Sequence, residues 1–233
     1  MNRGTLYAQK VLRLIKRTVL PQKTHFWEYY GRVKFASQVI FDSKIKDYNV
    51  LDIGGATGDN LLKKFGVQNV TTLDLKPGAD IVASAAEIPV EDESFNFVTS
   101  LDMMEHVPSN LRAQVVSEMV RVAKDRAIII APINSKENIW AEEFVLRYRH
   151  ADFLIEHKDQ GLVDFEQIYM QLEGLKKEEK IKSYEKFELD NLQTWVSLMT
   201  EDFGDSSEIY QKCYETLENK FVPRRIAVVI HKS

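Results

Sequence analysis

The chain has 233 residues, which is long enough for one sizeable α/β domain or for one domain with an insertion. Hydrophobic residues make up 44% of it and charged residues 28%, a composition typical of a soluble globular protein. Its net charge of −4 gives no general reason to expect nucleic-acid binding. The single cysteine, Cys213, excludes an internal disulfide and a cysteine-rich zinc site.

The sequence shows no membrane-spanning or secretory pattern. No run approaches the roughly 18 apolar residues that a membrane span needs. Near the N-terminus Lys10, Arg13, Lys16 and Arg17 interrupt any apolar stretch of the kind a signal peptide contains. We therefore expect a cytoplasmic protein.

The charge is unevenly distributed along the chain. Residues 1–34 contain eight Lys or Arg against one acidic residue, Glu28, so the remainder is acidic. Two interpretations stay open for this basic segment. It could make a weak contact with an anionic surface or substrate, or it could be a solvated helix face docked on the acidic body.

Helices are predicted at the start of the chain. Apolar residues recur at helical spacing over residues 5–20, and Pro21 ends that pattern. A second helix is predicted over about residues 25–42. Together they would form a helical N-terminal cap over residues 1–45.

From residue 49 the pattern changes to strands that alternate with helices. Strands are predicted over residues 49–53, 70–75, 81–83, 95–101 and 126–131, and helices over 59–65 and 109–123, the second capped by Ser109. Such alternation implies a parallel sheet with right-handed crossovers.

After Pro132 the alternation breaks. Residues 133–163, rich in aromatic, histidine and charged residues, are interpreted as an insertion over the carboxyl edge of the sheet. Beyond it we predict a helix over 164–180, a strand over 184–189, helices near 191–201 and 206–220, and a closing strand over 224–231.

A glycine-rich turn follows the first predicted strand, where ligands of open α/β sheets bind. A glycine lets the backbone approach a ligand, and the next helix offers free N–H groups to an anion. The dinucleotide pattern fails, because the positions that should hold glycine after Gly54 hold Ala56 and Asp59. A phosphate-binding loop fails too, since no Gly-Lys-Ser/Thr sequence follows.

The spacing that fits is Asp-x-Gly-x-Ala-x-Gly, from Asp52 through Gly54 and Ala56 to Gly58. It resembles the first motif of class I S-adenosylmethionine-dependent methyltransferases of the type 11-like family. Asp74 lies twenty residues past Gly54 at the end of the next predicted strand, where a carboxylate can accept both ribose hydroxyls of an adenosine. Ala-Ser-Ala-Ala-Glu-Ile-Pro at 83–89 and Leu-Asp-Met-Met-Glu-His-Val at 101–107 are similar to later motifs of that family.

The resemblance covers about residues 45–135 and implies the architecture. It predicts a Rossmann-like α/β fold, a three-layer sandwich around a mostly parallel seven-stranded sheet with an antiparallel last strand. We expect one domain, in which residues 46–132 form the cofactor-binding core, 133–163 a lid or substrate insertion, and 164–233 the C-terminal completion of the sheet.

The resemblance also implies S-adenosylmethionine as the cofactor. Its methionyl part would lie on the glycine turn, its ribose on Asp74 and its adenine near Ser84, with Leu101 or Asp102 beside the sulfonium. The predicted cofactor-binding residues are Asp52, Gly54, Gly55, Ala56, Gly58, Asp74, Leu75, Ser84, Ala85, Leu101 and Asp102.

The expected reaction is methyl transfer to a small-molecule, sugar or lipid-linked acceptor. His106 is the predicted general base for a hydroxyl acceptor, because it follows the fourth strand and imidazole titrates in a useful range. Equally, Glu105 and His106 could cap and orient the next helix. No metal site is predicted, since the spacing of His106, His150 and His157 resembles no known site.

Two other classes of function stay open. One is a non-catalytic cofactor-binding or scaffold protein on the same fold. The other is an RNA or DNA methyltransferase that uses the basic N-terminal segment. We expect no nucleic-acid partner, because the chain lacks the Asn/Asp-Pro-Pro-Tyr/Phe sequence of amino-methylating nucleic-acid enzymes.

Overall fold

A computed structural model describes residues 23–55, 60–148, 150–200, 215 and 221–233. The predicted helix over 5–20 lies outside these residues, as does nearly all of the one predicted over 206–220. The second predicted helix is present as α1, Lys23–Asp42. None of the helices within the described ranges is long and apolar enough to cross a membrane.

Seven strands form one sheet in the order β3-β2-β1-β4-β5-β7-β6. They are Val50–Ile53 (β1), Val70–Asp74 (β2), Ile81–Val82 (β3), Phe95–Leu101 (β4), Ala123–Pro132 (β5), Ile181–Asn191 (β6) and Pro223–Lys232 (β7). The first five pair in parallel, whereas β7 is antiparallel to both β5 and β6. The predicted mostly parallel sheet with an antiparallel last strand is therefore confirmed.

Both faces of the sheet are covered. On one face Ile129 packs in a core that includes residues of α3 (Arg112–Val122) and α6 (Phe165–Lys177). On the other, Ile128 and Ile130 pack with residues of α1. Because neighbouring residues of β5 face opposite layers, residues 127–131 of the strand form a continuous apolar run. The result is the three-layer sandwich that the motifs predict.

The prediction that Ser109 caps a helix is wrong. The α-helix α3 begins at Arg112, and its N-cap position is Leu111, which makes no side-chain hydrogen bond. Ser109 instead begins a 3₁₀ turn, Ser109–Leu111, in which the N–H of Leu111 donates to the carbonyl of Pro108. The chain thus enters the helix through a tighter turn that satisfies its first donors through the backbone.

The sixth strand is longer than its apolar pattern predicts. The structure extends β6 to Ile181–Asn191, where it pairs along β7. Glu185, Lys186 and Glu188 lie exposed within it because β6 is the edge strand of the sheet. The predicted bounds covered the exposed middle of the strand and missed Ile181 at its start, which is 2% exposed.

Residues 133–163 contain two helices, α4 (Lys136–Leu146) and α5 (Asp152–Gln160). Aromatic residues of these helices pack together in a hydrophobic core. Phe144 is 1% exposed and contacts the rings of Trp140 and Tyr148. It belongs to the same cluster as Trp195 of α7 (Leu192–Thr200).

A buried ionic cluster ties the end of β4 to other elements. Asp102 follows β4 with a φ of 52° and receives Arg225 of β7 at both carboxylate oxygens, 2.8 and 2.6 Å away. Arg32 of α1 lies 3.0 Å from the same carboxylate, and Arg225 also reaches Asp190 of β6 at 3.0 Å. Burial alone raises the pKa of Asp102, but Arg225 and Arg32 outweigh it and hold that pKa well below its usual range.

Replacing Arg225 by Met keeps the bulk of the side chain but leaves Asp102 buried without its bidentate partner. We expect this change to lower the free energy of unfolding by about 3–5 kcal/mol, because the largely buried carboxylate keeps Arg32 but loses its bidentate partner. Urea-induced unfolding, followed by circular dichroism, measures this difference.

Two further variants test the reason for that loss. Adding Asp102→Asn to Arg225→Met removes the carboxylate charge that Arg32 then offsets only in part, and should restore part of the stability. Lys182→Met, at an exposed position of β6, should change the free energy by less than about 0.5 kcal/mol. A loss below about 1 kcal/mol for Arg225→Met, the range of a surface ion pair, would contradict the proposed role of the cluster.

Candidate functional site

The parallel strands bring most of the predicted site residues to one edge of the sheet. Gly54 follows β1, Asp74 ends β2, Ser84 follows β3 and Asp102 follows β4. Because these strands are parallel and neighbouring, their carboxyl ends lie side by side. Ala56 and Gly58 lie outside the described residues.

The glycine turn requires glycine at its first position. Gly54 has a φ of 74°, and its N–H donates to the carbonyl of Leu73 at 2.7 Å. A Cβ on Gly54 would lie 2.5 Å from Cγ of Met103, which belongs to the segment after β4. Both the left-handed backbone and this close approach exclude a larger residue.

Asp52 lies under the turn. Its side chain accepts hydrogen bonds from Thr99 Oγ1 and Asn60 Nδ2, each at 2.7 Å, and the residue is 5% exposed. Burial raises the pKa of Asp52, while these two hydrogen bonds lower it. A Cβ on Gly55 would lie 2.5 Å from Oδ2 of the same carboxylate. Asp52 therefore supports the turn from within the protein.

Sequence reasoning missed Asn60 and Thr99 as the partners of Asp52. Asn60 also accepts a hydrogen bond from the N–H of Lys63, as the N-cap of the short helix α2 (Leu61–Lys64). Capping preference was the signal that could have identified Asn60. Thr99 lies on β4, and only the pairing of β4 with β1 places it beside Asp52.

Asp74 stands at the same edge with a half-exposed side chain. Its Oδ1 accepts the N–H of Lys76 at 2.9 Å. The neighbouring Asp80 accepts the N–H and hydroxyl of Thr72 at 2.8 and 3.0 Å, which ties the loop after β2 back to that strand. The side chain of Leu75 is 74% exposed beside it.

The loop after β3 completes this part of the edge. Ser84 is exposed, and its Oγ accepts the N–H of Ala86 at 3.2 Å. Its carbonyl accepts the N–H of Glu87 at 3.0 Å, which closes a turn. Ala85 and, at the end of β4, Leu101 are half-buried.

A second group of side chains follows β4 in the 3₁₀ turn Met104–His106. Glu105 is 1% exposed, and burial together with the nearby charge of Asp102 raises its pKa to about 8. His106 Nδ1 lies 2.8 Å from Oε2 of Glu156 in α5. Burial and the neighbouring His157 lower the pKa of His106.

The insertion contributes the rest of this group. His157 of α5 is 3% exposed, and its Nδ1 lies 2.9 Å from Oε1 of Glu142 in α4. Arg224 of β7 donates to the same Glu142 oxygen at 2.6 Å. Sequence reasoning missed Glu142 and Arg224, since buried charged residues carry no periodic signal. His150 is not brought to the group, because its exposed side chain pairs with Asp152.

An open depression lies at the opposite edge of the sheet. It is lined by Lys176, Glu179, Ile181, Lys182 and Ser233, where β6 begins and β7 ends. Pairing places His231 beside Arg126 near the start of β5, so this is the amino edge of the parallel strands. The depression is therefore separate from the glycine turn.

Comparisons with known proteins match the same region of the chain. Residues 51–131 match the family described as Methyltransferase domain. An uncharacterized protein of Methanocaldococcus jannaschii is 29% identical over 154 residues, which are 58% of this chain and 64% of that protein. The chain thus matches less than two-thirds of the length of this relative.

Solved structures share the fold. A SAM-dependent methyltransferase from Archaeoglobus fulgidus has a TM-score of 0.55 at 16% identity, with 89% of this chain and 98% of that chain covered. The plantazolicin methyltransferase BpumL in complex with SAH has a TM-score of 0.57 at 12% identity, with 95% and 90% covered. At these identities the likeness concerns the fold alone.

The sequence match and the architecture agree with the motifs around Gly54 and Asp74. Residues 51–131 therefore match a methyltransferase domain, and the chain shares the fold of solved S-adenosylmethionine-dependent methyltransferases, which is the fold that the motifs predict.

Proposed function

We propose that this protein transfers the methyl group of S-adenosylmethionine to a small acceptor held beneath residues 133–163. The observation that carries the proposal is the convergence of the Gly54 turn and the Asp74 carboxylate on one edge of the matched domain. The cofactor supplies an electrophilic methyl group. Transfer of such a group depends mainly on how the protein positions the two reactants.

The described residues fit that cofactor. Gly54 and Gly55, with Ala56 and Gly58 beyond them, would hold the methionyl part on the turn. Asp74 offers carboxylate oxygens at the end of β2. Among the described residues Oδ1 accepts a hydrogen bond and Oδ2 accepts none, so this carboxylate can accept ribose hydroxyls. The remaining contacts of the adenosine would come from Leu75, Ser84, Ala85 and Leu101.

Asp52 and Asp102 would act as positioning residues. Both carboxylates are turned toward protein partners, Asp52 to Thr99 and Asn60 and Asp102 to Arg225. Charge-assisted hydrogen bonds of this kind orient a side chain firmly. The two residues would therefore hold the loops that contact the cofactor.

The insertion favours a small acceptor. α5 packs against the 3₁₀ turn that follows β4, so the insertion covers that strand end. Arg112 holds the C-terminal end of the insertion, because its guanidinium donates hydrogen bonds to the carbonyls at 160–162, those of Gln160, Gly161 and Leu162. A covered edge suits a small molecule, a sugar or a lipid-linked group better than a polynucleotide.

His106 would take the proton of a hydroxyl acceptor. It lies at the carboxyl edge after β4 with a side chain that is 32% exposed. Glu156 holds its Nδ1, which leaves Nε2 as the nitrogen able to accept a proton. This is the arrangement that a general base requires.

The role of Asp74 predicts a measurable loss of cofactor affinity. In Asp74→Ala two hydrogen bonds from ribose hydroxyls to a charged acceptor are removed, so S-adenosylmethionine should bind about 10-fold to 100-fold more weakly. Isothermal calorimetry with S-adenosylmethionine and its demethylated product measures this. Glu91→Ala, which removes an exposed carboxylate between β3 and β4, should bind like wild type.

Two outcomes would contradict this assignment. If wild type binds neither compound at millimolar concentration, the cofactor proposal fails. If Asp74→Ala binds both as tightly as wild type, the role of Asp74 in holding the ribose fails.

The role of His106 predicts a loss of turnover without a loss of cofactor binding. Release of S-adenosylhomocysteine, followed across hydroxylated small molecules, sugars, lipids and RNA, identifies an acceptor. With a hydroxyl acceptor, His106→Ala should lower kcat about 100-fold or more, the usual contribution of a general base. His150→Ala removes an exposed histidine of the insertion and serves as the control.

Full turnover by His106→Ala would exclude a chemical role for this side chain. Cofactor binding with no turnover on any acceptor would favour the scaffold alternative. Turnover on RNA that falls steeply with salt would instead favour a nucleic-acid substrate.

A further inference from the structure

Glu105, His106 and His157 bring three possible metal-ligand atoms together. One such atom from each residue lies within 4.8 Å of the others. Nε2 of His157 is 3.9 Å from Oε1 of Glu105, and the two histidine rings are 5.0 Å apart between centroids. The pairing of α5 with the turn after β4 creates this cluster, which no run of the sequence contains.

Two polar atoms in the cluster are buried without a partner. Glu105 is 1% exposed and His157 is 3% exposed. Among the described residues Oε2 of Glu105 and Nε2 of His157 have no hydrogen-bond partner. Since buried polar atoms are nearly always paired, two such atoms in neighbouring groups point to a partner that the described part of the chain does not supply.

Each of the two histidines, His106 and His157, has a carboxylate within hydrogen-bond distance of its Nδ1 atom. Glu156 lies 2.8 Å from Nδ1 of His106, and Glu142 lies 2.9 Å from Nδ1 of His157. Arg224 in turn holds Glu142 at 2.6 Å. A carboxylate at Nδ1 orients the ring and leaves Nε2 for a cation, which is the usual outer arrangement around metal-binding histidines.

We propose that Glu105, His106 and His157 bind one divalent metal ion, zinc, and leave a fourth coordination position open. Two imidazole nitrogens and one carboxylate oxygen are a ligand set that zinc uses in sites with an open position. Ligand atoms around a tetrahedral zinc are about 3.4 Å apart, so the three groups close by about 1 Å on binding. His106 can make that movement because its side chain is partly exposed and lies on a three-residue turn.

With the ion bound, His106 is a metal ligand rather than the general base. As a ligand, His106 no longer takes a proton through the same nitrogen. The ion would activate a hydroxyl at its open position by stabilising the deprotonated form. The site itself does not depend on the methyl-transfer proposal, since metal binding is measured without S-adenosylmethionine.

The test is a zinc titration of tag-free protein that has been freed of metal by a chelator. Wild type should bind one equivalent of Zn²⁺ in calorimetry, and Co²⁺ at the same site should give a visible absorption band. Glu105→Gln and His106→Ala should each weaken zinc binding about 100-fold or more, beyond the 10-fold to 100-fold that the loss of an outer-shell partner costs. Glu156→Gln, which removes an outer partner, should weaken it about 10-fold.

His150→Ala is the matched control. His150 also has a carboxylate at 2.9 Å, from Asp152, but lies exposed and belongs to no group of three possible ligands within the described ranges. This variant should bind zinc like wild type. Thermal unfolding provides a second measurement, since zinc should raise the Tm of wild type and His150→Ala but not of His106→Ala.

Two results would overturn the proposal. One is no stoichiometric binding of Zn²⁺ or Co²⁺ by wild type. The other is equal zinc affinity in wild type, Glu105→Gln and His106→Ala. Because neither measurement uses the cofactor, both are distinguishable from a failure of S-adenosylmethionine to bind.

Discussion

The arrangement of the candidate site depends on how Asp102 is neutralised. A buried carboxylate costs several kcal/mol unless it is paired with good geometry, so the end of β4 must stay beside Arg225 and Arg32. Those arginines come from β7 and α1, which lie at opposite ends of the chain. Met103, the next residue, thereby comes to rest against Gly54. The ionic cluster thus determines where the segment after β4 meets the glycine turn after β1.

The same ionic cluster shifts the pKa values of two carboxyl groups in opposite directions. Asp102 has the arginines and keeps a pKa well below its usual range. Glu105, only three residues later, is buried close to the charge of Asp102, and its pKa rises to about 8. Neighbouring groups whose pKa values are driven apart in this way are typical of functional sites. Arg225 and Arg32 thus occupy Asp102, while Oε2 of Glu105 and Nε2 of His157, without a partner among the described residues, remain available to a further ligand.

Those parts of the fold that depend on local patterns could be predicted from sequence. β1 and the second half of β5 are mostly apolar because both of their faces are buried. Gly54 was predictable because few other residues adopt its backbone. The role of Asp52 was not predictable in full. Its partner Thr99 is 47 residues away, and only the pairing of β4 with β1 shows that the carboxylate faces into the protein.

The group formed by Glu105, His106 and His157 could not be predicted, because each of these residues looks ordinary in its own segment of the sequence. Charged residues in helices are normally solvated, so Glu142 and His157 were indistinguishable from a helix surface until the insertion was seen against the end of β4. The parallel sheet positions the glycine turn, whereas the insertion supplies His157 and the carboxylates behind both histidines. Because these two contributions come from different segments, a change in the insertion would alter the proposed metal site while leaving the cofactor turn intact.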